Sequence, residues 1–356
     1  MHALRLLALG AVSLLVAACG GRSTSSIPAA ANAASIARSV ASAAAPSTAT
    51  IYVGTQTSVL AFPLAGSGTL EPSRTIVPHP NQGRQTIDGL ATNADGTLAI
   101  LQNFSVLTTP TTVVGHCRVV IESATADGSP PASNVQCNPN GPTAGYGIAR
   151  NTAGGFDLAF EDGDPNNAPA HVLRRFGSDG AGVVSSAPLG FVPSYLAVDR
   201  GGHDFLDSYN YRGEIFLFKA ANTSGIADTT TNVDLNKTLS AIAVSPGADR
   251  TIYVAQYPDC CHVQGESIVA LAPGSATPTR TIGPFVNMVI SAMAVDAAGE
   301  LIVAMNAYNG NTGAVVRVYA PDANNAAGGK PVPLRTIYPT VNGTPIPKIR
   351  ALALYE

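Results

Sequence analysis

Six times along this chain a short strand is built around one alanine. The copies are Leu90-Ala91-Thr92-Asn93, Ile148-Ala149-Arg150-Asn151, Leu196-Ala197-Val198-Asp199, Ile242-Ala243-Val244-Ser245, Met293-Ala294-Val295-Asp296 and Leu352-Ala353-Leu354. Their alanines lie 58, 48, 46, 51 and 59 residues apart. A period near 50 residues, with strands in every unit, is the mark of an array whose copies bury their faces against one another. Strand-built units of that length read as propeller blades.

The unit around Ala294 shows the parts most clearly. Ala292–Asp296 reads as a first strand and Ala297-Ala298-Gly299 as a tight turn. Glu300–Ala304 is a second strand, followed by a polar loop from Asn306 to Gly313. Val315–Tyr319 is a third, and Pro333-Leu334-Arg335-Thr336-Ile337 carries a fourth. The fourth strand recurs as Arg74-Thr75-Ile76, Lys237-Thr238-Leu239 and Arg280-Thr281-Ile282. Four strands in one period make one blade.

The chain ends complement each other. Thr50-Ile51-Tyr52-Val53-Gly54 repeats the second strand Thr251-Ile252-Tyr253-Val254-Ala255, whereas Ala351–Tyr355 repeats a first strand. The expected fold is therefore an all-β, six-bladed propeller of four-stranded blades over residues 50–356. One C-terminal strand and three N-terminal strands close it, which removes the open edges of an unclosed array.

Residues 1–18 read as a lipoprotein signal peptide: Arg5 supplies the positive end, and Leu6–Val16 is an apolar stretch of 11 residues, too short to span a bilayer. Val16-Ala17-Ala18-Cys19 resembles the bacterial lipobox. That resemblance implies acylation of Cys19 with diacylglycerol and palmitate, and Gly20 after it implies sorting to the outer membrane. Residues 19–49, mostly Ala and Ser, form a linker that cannot bury a core. The expected location is the cell envelope, anchored through lipid and facing the periplasm or the surface. Without Arg5 the chain has 19 basic and 23 acidic side chains, a net of −4, and no basic run. Nucleic acid is excluded as a partner because such binding rests on neutralised phosphates.

The pattern Ile/Leu-Ala-Val-Asp, a Gly-containing turn, Ile-Tyr/Ile-Val-Ala and Pro-x-Arg-Thr-Ile resembles the NHL-type six-bladed propellers of bacterial lipoproteins. The resemblance spans residues 50–356. It is best in the fifth and sixth units and poorest in the third, where Arg150 stands in place of Val. It implies a fold and a binding role rather than one shared activity.

In such a propeller, second-to-third and fourth-to-first connections open on one mouth. That gathers Glu161, Asp162 and Asp164; Asp207, Tyr209 and Tyr211; Tyr257 and Asp259; and Asn306 and Tyr308. Acidic, amide and tyrosine side chains suit a protein, peptide or glycan ligand, or a divalent cation such as calcium. Glu161, Asp207 and Asn306 are candidate oxygen ligands near the axis. Equally, such residues commonly decorate solvent loops. No zinc spacing joins the histidines, and no Gly-x-Ser-x-Gly elbow occurs. A binding or scaffold module is the leading expectation. The alternative is a metal-dependent, lactonase-like hydrolase or a lyase working in the same mouth.

Four cysteines remain after Cys19, an even number that suits disulfides in an exported protein. Cys117 and Cys137 fall on facing strands of one hairpin, so they are expected to pair. Adjacent Cys260 and Cys261 are expected to form a vicinal bond, with cross-pairing to the other two as the alternative.

Overall fold

The computed structural model describes residues 49–78, 85–107, 113–128, 133–137, 143–163, 170–177, 183–208, 213–219, 233–257, 265–308, 313–325, 329 and 331–356. It is an all-β propeller of six antiparallel blades. Blade one joins Ala351–Tyr355, innermost, to Thr50–Gly54, Val59–Pro63 and Arg74–Ile76. Gly54 pairs with Ala351 and Thr50 with Tyr355, so the ends of the chain close the ring as expected. Blade two runs outward through Gln85–Thr92, Leu98–Leu107, Val113–Glu122 and Ser133–Gln136, and blade three through Thr143–Arg150, Phe156–Asp162, Ala170–Phe176 and Val183–Leu189. Blade four is Pro193–Val198, Asp204–Ser208, Glu214–Phe218 and Val233–Asp234. Blade five is Leu239–Val244, Ile252–Gln256, Glu266–Leu271 and Pro278–Phe285, and blade six is Met288–Val295, Leu301–Ala307, Val315–Tyr319 and Arg335–Val341.

The recurring alanine ends a small–large–small triplet on five of the six inner strands, and in blade four Tyr195 stands in the first small place. The triplets are Gly89-Leu90-Ala91, Gly147-Ile148-Ala149, Tyr195-Leu196-Ala197, Ala241-Ile242-Ala243, Ala292-Met293-Ala294 and Ala351-Leu352-Ala353. Alternation sends the small pair to one side of the strand and the large residue to the other. The large residue of each blade then packs over the small pair of the blade before it. Met293 clusters with Ala241 and Ala243, and Leu90 with Ala351 and Ala353. A Cβ built on Gly89 would come within 2.7 Å of Ile148 Cγ2, and one on Gly147 within 2.9 Å of both Leu196 Cβ and its backbone nitrogen. At these two positions the neighbouring blade leaves room for glycine alone. Each large aliphatic buried this way contributes roughly 1.5–3 kcal/mol.

At the far end of each triplet the chain turns back sharply. The turn is closed by the next polar residue: Asp296 Oδ1 accepts from Glu300 N at 2.7 Å, Asp199 Oδ1 from His203 N at 2.9 Å, and Asn151 Oδ1 from Gly155 N at 3.0 Å. Gly299, at φ 82°, supplies the left-handed step in one of these turns. The Asp or Asn after the alanine is thus a turn residue.

One sequence expectation is corrected. Lys237-Thr238-Leu239 is not a fourth strand. The outer strand of blade four is Val233–Asp234, Asn236 at φ 49° turns the chain, and Leu239 already begins the inner strand of blade five opposite Gln256. The ring is also locked by more than the shared blade. Gly68–Leu70 pairs in parallel with Ile337–Pro339 of blade six, and Glu71 accepts from Gly343 N at 2.7 Å, Thr340 Oγ1 at 2.8 Å and Asn342 N at 2.9 Å. Those bonds, Gly343 N foremost, hold the Glu71 carboxyl below its usual range.

Cys117 and Cys137 are bonded, with Cα atoms 5.5 Å apart across the third and fourth strands of blade two. Cys117 lies mid-strand, and both half-cystines are fully buried. Cys19, Cys260 and Cys261 lie outside the described residues. Among those described, no helix is long and apolar enough to cross a membrane.

Candidate functional site

A channel runs along the propeller axis. Leu90, Ile148, Leu196, Ile242, Met293 and Leu352, one from each blade, line its waist and divide it into two chambers. The chamber at the turn end measures about 330 Å³. The other, about 340 Å³, opens at the mouth where second strands end and inner strands begin.

The inner strands of blades two to six are bulged just before the waist. The register slips between Ile87 and Gly89, between Pro193 and Leu196, between Leu239 and Ala241 and between Ile290 and Ala292. In blade three the slip lies opposite Ala159 and Phe160, which face Gly147 and Gly145. A bulge adds one residue with no cross-strand partner and re-aims its side chain. The residues at these steps are Asp88, Tyr146, Tyr195, Ser240 and Ser291, and all line the mouth chamber. In blade one Arg350, directly before the inner strand, completes the ring.

The ring has two halves of different chemistry. Arg350 donates from Nε to Asp88 Oδ1 at 2.9 Å, and its Nη2 reaches the same oxygen. Asp88 Oδ2 takes Thr86 Oγ1 and Asn103 Nδ2, the latter at 2.8 Å. Lys348 stands on the same wall, exposed. Facing the Arg350–Asp88 pair are Tyr195 and Ser240, with Tyr257 from the end of the second strand of blade five, while Ser291 of blade six lies beside Arg350. Tyr146 donates to Glu161 Oε2 at 3.0 Å. Burial, then the bond and charge of Glu161, raise its phenol well above the usual value. Tyr257 is raised likewise, by burial first and by Glu266 second.

Tyr257 occupies a position that is structural elsewhere. At the equivalent place in blade two, Asn103 receives Gly145 N at 2.7 Å and donates to Gly145 O at 2.9 Å, which pins the next inner strand. In blade six, Asn306 does the same to Ile349 N at 2.7 Å and Ile349 O at 2.8 Å. In blade five the corresponding amide, Ile290 N, is instead caught at 2.8 Å by Glu266 Oε2 from the third strand. Glu266 also accepts from Ser240 Oγ at 2.7 Å and from the Tyr257 hydroxyl. Burial pushes the Glu266 carboxyl up, and these three donors pull it part of the way back. Tyr257 is thereby released from the amide-holding task and stands in the chamber wall.

Of the mouth residues read from sequence, Tyr257 and Asn306 line the chamber, and Glu161 backs it through Tyr146. Both ends of the Asn306 amide are taken by Ile349, so it serves the fold there. Asp162 pairs with Arg174 at 3.6 Å. Asp207 is buried in the second strand of blade four, where burial and then Glu214 raise its carboxyl to about 8. Tyr308 is 53% exposed. Asp164, Tyr209, Tyr211 and Asp259 lie outside the described residues. Among the described residues no group of three His, Cys, Asp or Glu side chains gathers within reach of one ion. Sequence reasoning missed Asp88, Tyr146, Tyr195, Ser240, Ser291, Lys348 and Arg350. A signal existed in the residue preceding five of the triplets: Asp88-Gly-Leu-Ala, Tyr146-Gly-Ile-Ala, Ser240-Ala-Ile-Ala, Ser291-Ala-Met-Ala and Arg350-Ala-Leu-Ala.

No protein-family model matches the chain, and no curated protein matches it in sequence. Among solved structures, a Bacteroides caccae protein of unknown function aligns with TM-score 0.59 at 11% identity, over 86% of this chain and 99% of that one. The Dos1 propeller aligns with TM-score 0.42 at 12% identity, over 80% of this chain and 68% of that one. The Hadza microbial sialidase Hz136 aligns with TM-score 0.47 at 10% identity, over 63% and 50%. The first of these likenesses concerns the fold alone.

Proposed function

We propose that this protein is an NHL-like propeller lipoprotein of the bacterial envelope, tethered through Cys19, that binds a small polar ligand in its mouth chamber. One observation carries the binding reading: five successive inner strands bulge at the same level, and the residue at each bulge lines a single chamber next to the aliphatic waist. A cavity of about 340 Å³ is in the range of small-molecule sites. The lipobox-like Val16-Ala17-Ala18-Cys19 supports the anchor. A lipid anchor would hold the propeller at the membrane.

The chain contains no tryptophan, which gives a clean test. In the Ser291→Trp protein, the indole partly fills the chamber and reports on it by fluorescence. Ligand-observed NMR against a mixed library of envelope sugars, peptides and amino acids should find binders to the wild type that Ser291→Trp binds weakly or not at all. A library that binds both proteins alike would remove the chamber from consideration. For the anchor, Cys19→Ser should release the protein from membranes or leave it unprocessed. A cleaved Cys19→Ser protein that still fractionates with membranes would overturn the lipoprotein reading.

A further inference from the structure

Donors outnumber acceptors on one wall of the chamber. Arg350 spends Nε and Nη2 on Asp88, and its Nη1 has no partner among the described residues. Lys348, two residues earlier on the same wall, has no hydrogen bond or ion pair among them either. Among the acceptors nearby, Asp88 Oδ2 takes Thr86 and Asn103, and Glu161 Oε2 takes Tyr146. Glu266, behind Ser240 and Tyr257, sits where burial favours its neutral form. Beyond its pair with Asp88, Arg350 keeps one donor nitrogen on the chamber wall and Lys348 keeps its ammonium, and a ligand carboxylate would make charge-assisted bonds to both. Across the chamber stand Tyr195 and Tyr257. Aromatic rings there present apolar faces with polar tips, suited to a ring with C–H faces and hydroxyl edges. The rearranged hydrogen bonding around Glu266 gives Tyr257 that place where an amide holds the backbone in blades two and six.

Building on the binding role proposed above, we infer that the mouth chamber selects an acidic saccharide: a pyranose bearing a carboxylate. The carboxylate lies on Lys348 and Arg350, and the sugar ring packs against Tyr257 and Tyr195.

The probes are glucuronic, galacturonic and mannuronic acid disaccharides, each paired with its methyl ester, and short acidic peptides. Titration calorimetry on the full protein should show binding of at least one acid, with its ester weaker by 10-fold or more. Lys348→Met, which changes an exposed side chain and should melt like the wild type, should abolish the difference between acid and ester. Tyr257→Ala should weaken acid and ester together. Equal binding of acid and ester, acid binding that survives Lys348→Met unchanged, binding of acidic peptides but no sugar, or no binding of any probe would each overturn the acidic-saccharide assignment. Should that happen while the mixed library still binds in a Ser291-dependent way, the binding role stands and the ligand class is wrong.

Discussion

Asn306 holds Ile349 by both of its backbone groups, receiving the amide hydrogen at 2.7 Å and donating to the carbonyl at 2.8 Å. The contact fixes the residue that leads, one step later, into Arg350 and the closing inner strand. One side-chain amide therefore positions the approach to the closing strand and to the chamber's cationic wall. Asn306→Ala should strand two buried backbone groups. At about 1–3 kcal/mol per unsatisfied group, a loss of several kcal/mol in urea unfolding is expected. Asn306→Asp should cost nearly as much, because its carboxylate cannot donate to the Ile349 carbonyl. If both variants unfold like the wild type, Asn306 does not lock the ring.

The triplets predict a sharp contrast between two glycines. A Cβ at Gly147 meets the backbone of Leu196, whereas one at Gly190 meets nothing within 4 Å. Gly147→Ala should destabilise by about 1–3 kcal/mol, the usual range for overpacking. Gly190→Ala should be neutral. The two melting temperatures, measured side by side, check this.

Removing the disulfide by Cys117→Ala with Cys137→Ala should lower stability by about 3 kcal/mol, the chain-entropy value for a loop near 20 residues. Because both positions are buried beneath Thr143 and Arg174, whose side chains bond the Cys117 amide and the Cys137 carbonyl, the fold itself should persist. Far-ultraviolet circular dichroism with thermal melting would show both points. Unreduced peptide mapping should recover the Cys117–Cys137 pair and would reveal whether Cys260 joins Cys261.

Stability should fall as pH rises. Burial holds three carboxyls high: Asp207 at about 8, Glu122 at about 7 and Asp296 at about 6. Each binds its proton more tightly in the folded state than in the unfolded chain, so the stability it adds is full near pH 4 and is lost on the way up through these values. Unfolding midpoints in urea should therefore drop between pH 5.5 and pH 8. Asp207→Asn should flatten that slope without abolishing it. A midpoint that rises over this range would contradict the burial assigned to these groups.

The buried pair Arg175–Asp157, at 2.6 Å with Asp204 at 3.4 Å, ties the second and third strands of blade three to blade four. Arg175→Met should leave two neighbouring carboxylates without their cation and cost about 3–5 kcal/mol at neutral pH. The loss should shrink at acid pH, where burial favours protonated Asp204. Equal losses at both pH values would point to packing rather than charge.

The sequence alone determined the blade count and the closure. Those are properties of repetition: six alanines near one spacing, and two partial units at the ends that complete each other. It also determined the Cys117–Cys137 pair, because hairpin strands leave few choices of partner. It misjudged Lys237–Leu239, where strand-forming residues serve a turn and the start of the next blade. It named Tyr257 for the mouth but gave Asn306 the same standing, although the two side chains are used in opposite ways. That difference, like the chamber ring itself, was settled by tertiary structure. Whether a polar residue before a small–large–small triplet faces a cavity depends on a bulge. Whether an amide is free depends on a backbone some 40 residues away in the next blade. Periodicity travels along the chain and is legible there. Register slips and cross-blade hydrogen bonds exist only once neighbouring blades are pressed together, so they could be seen only in the folded ring.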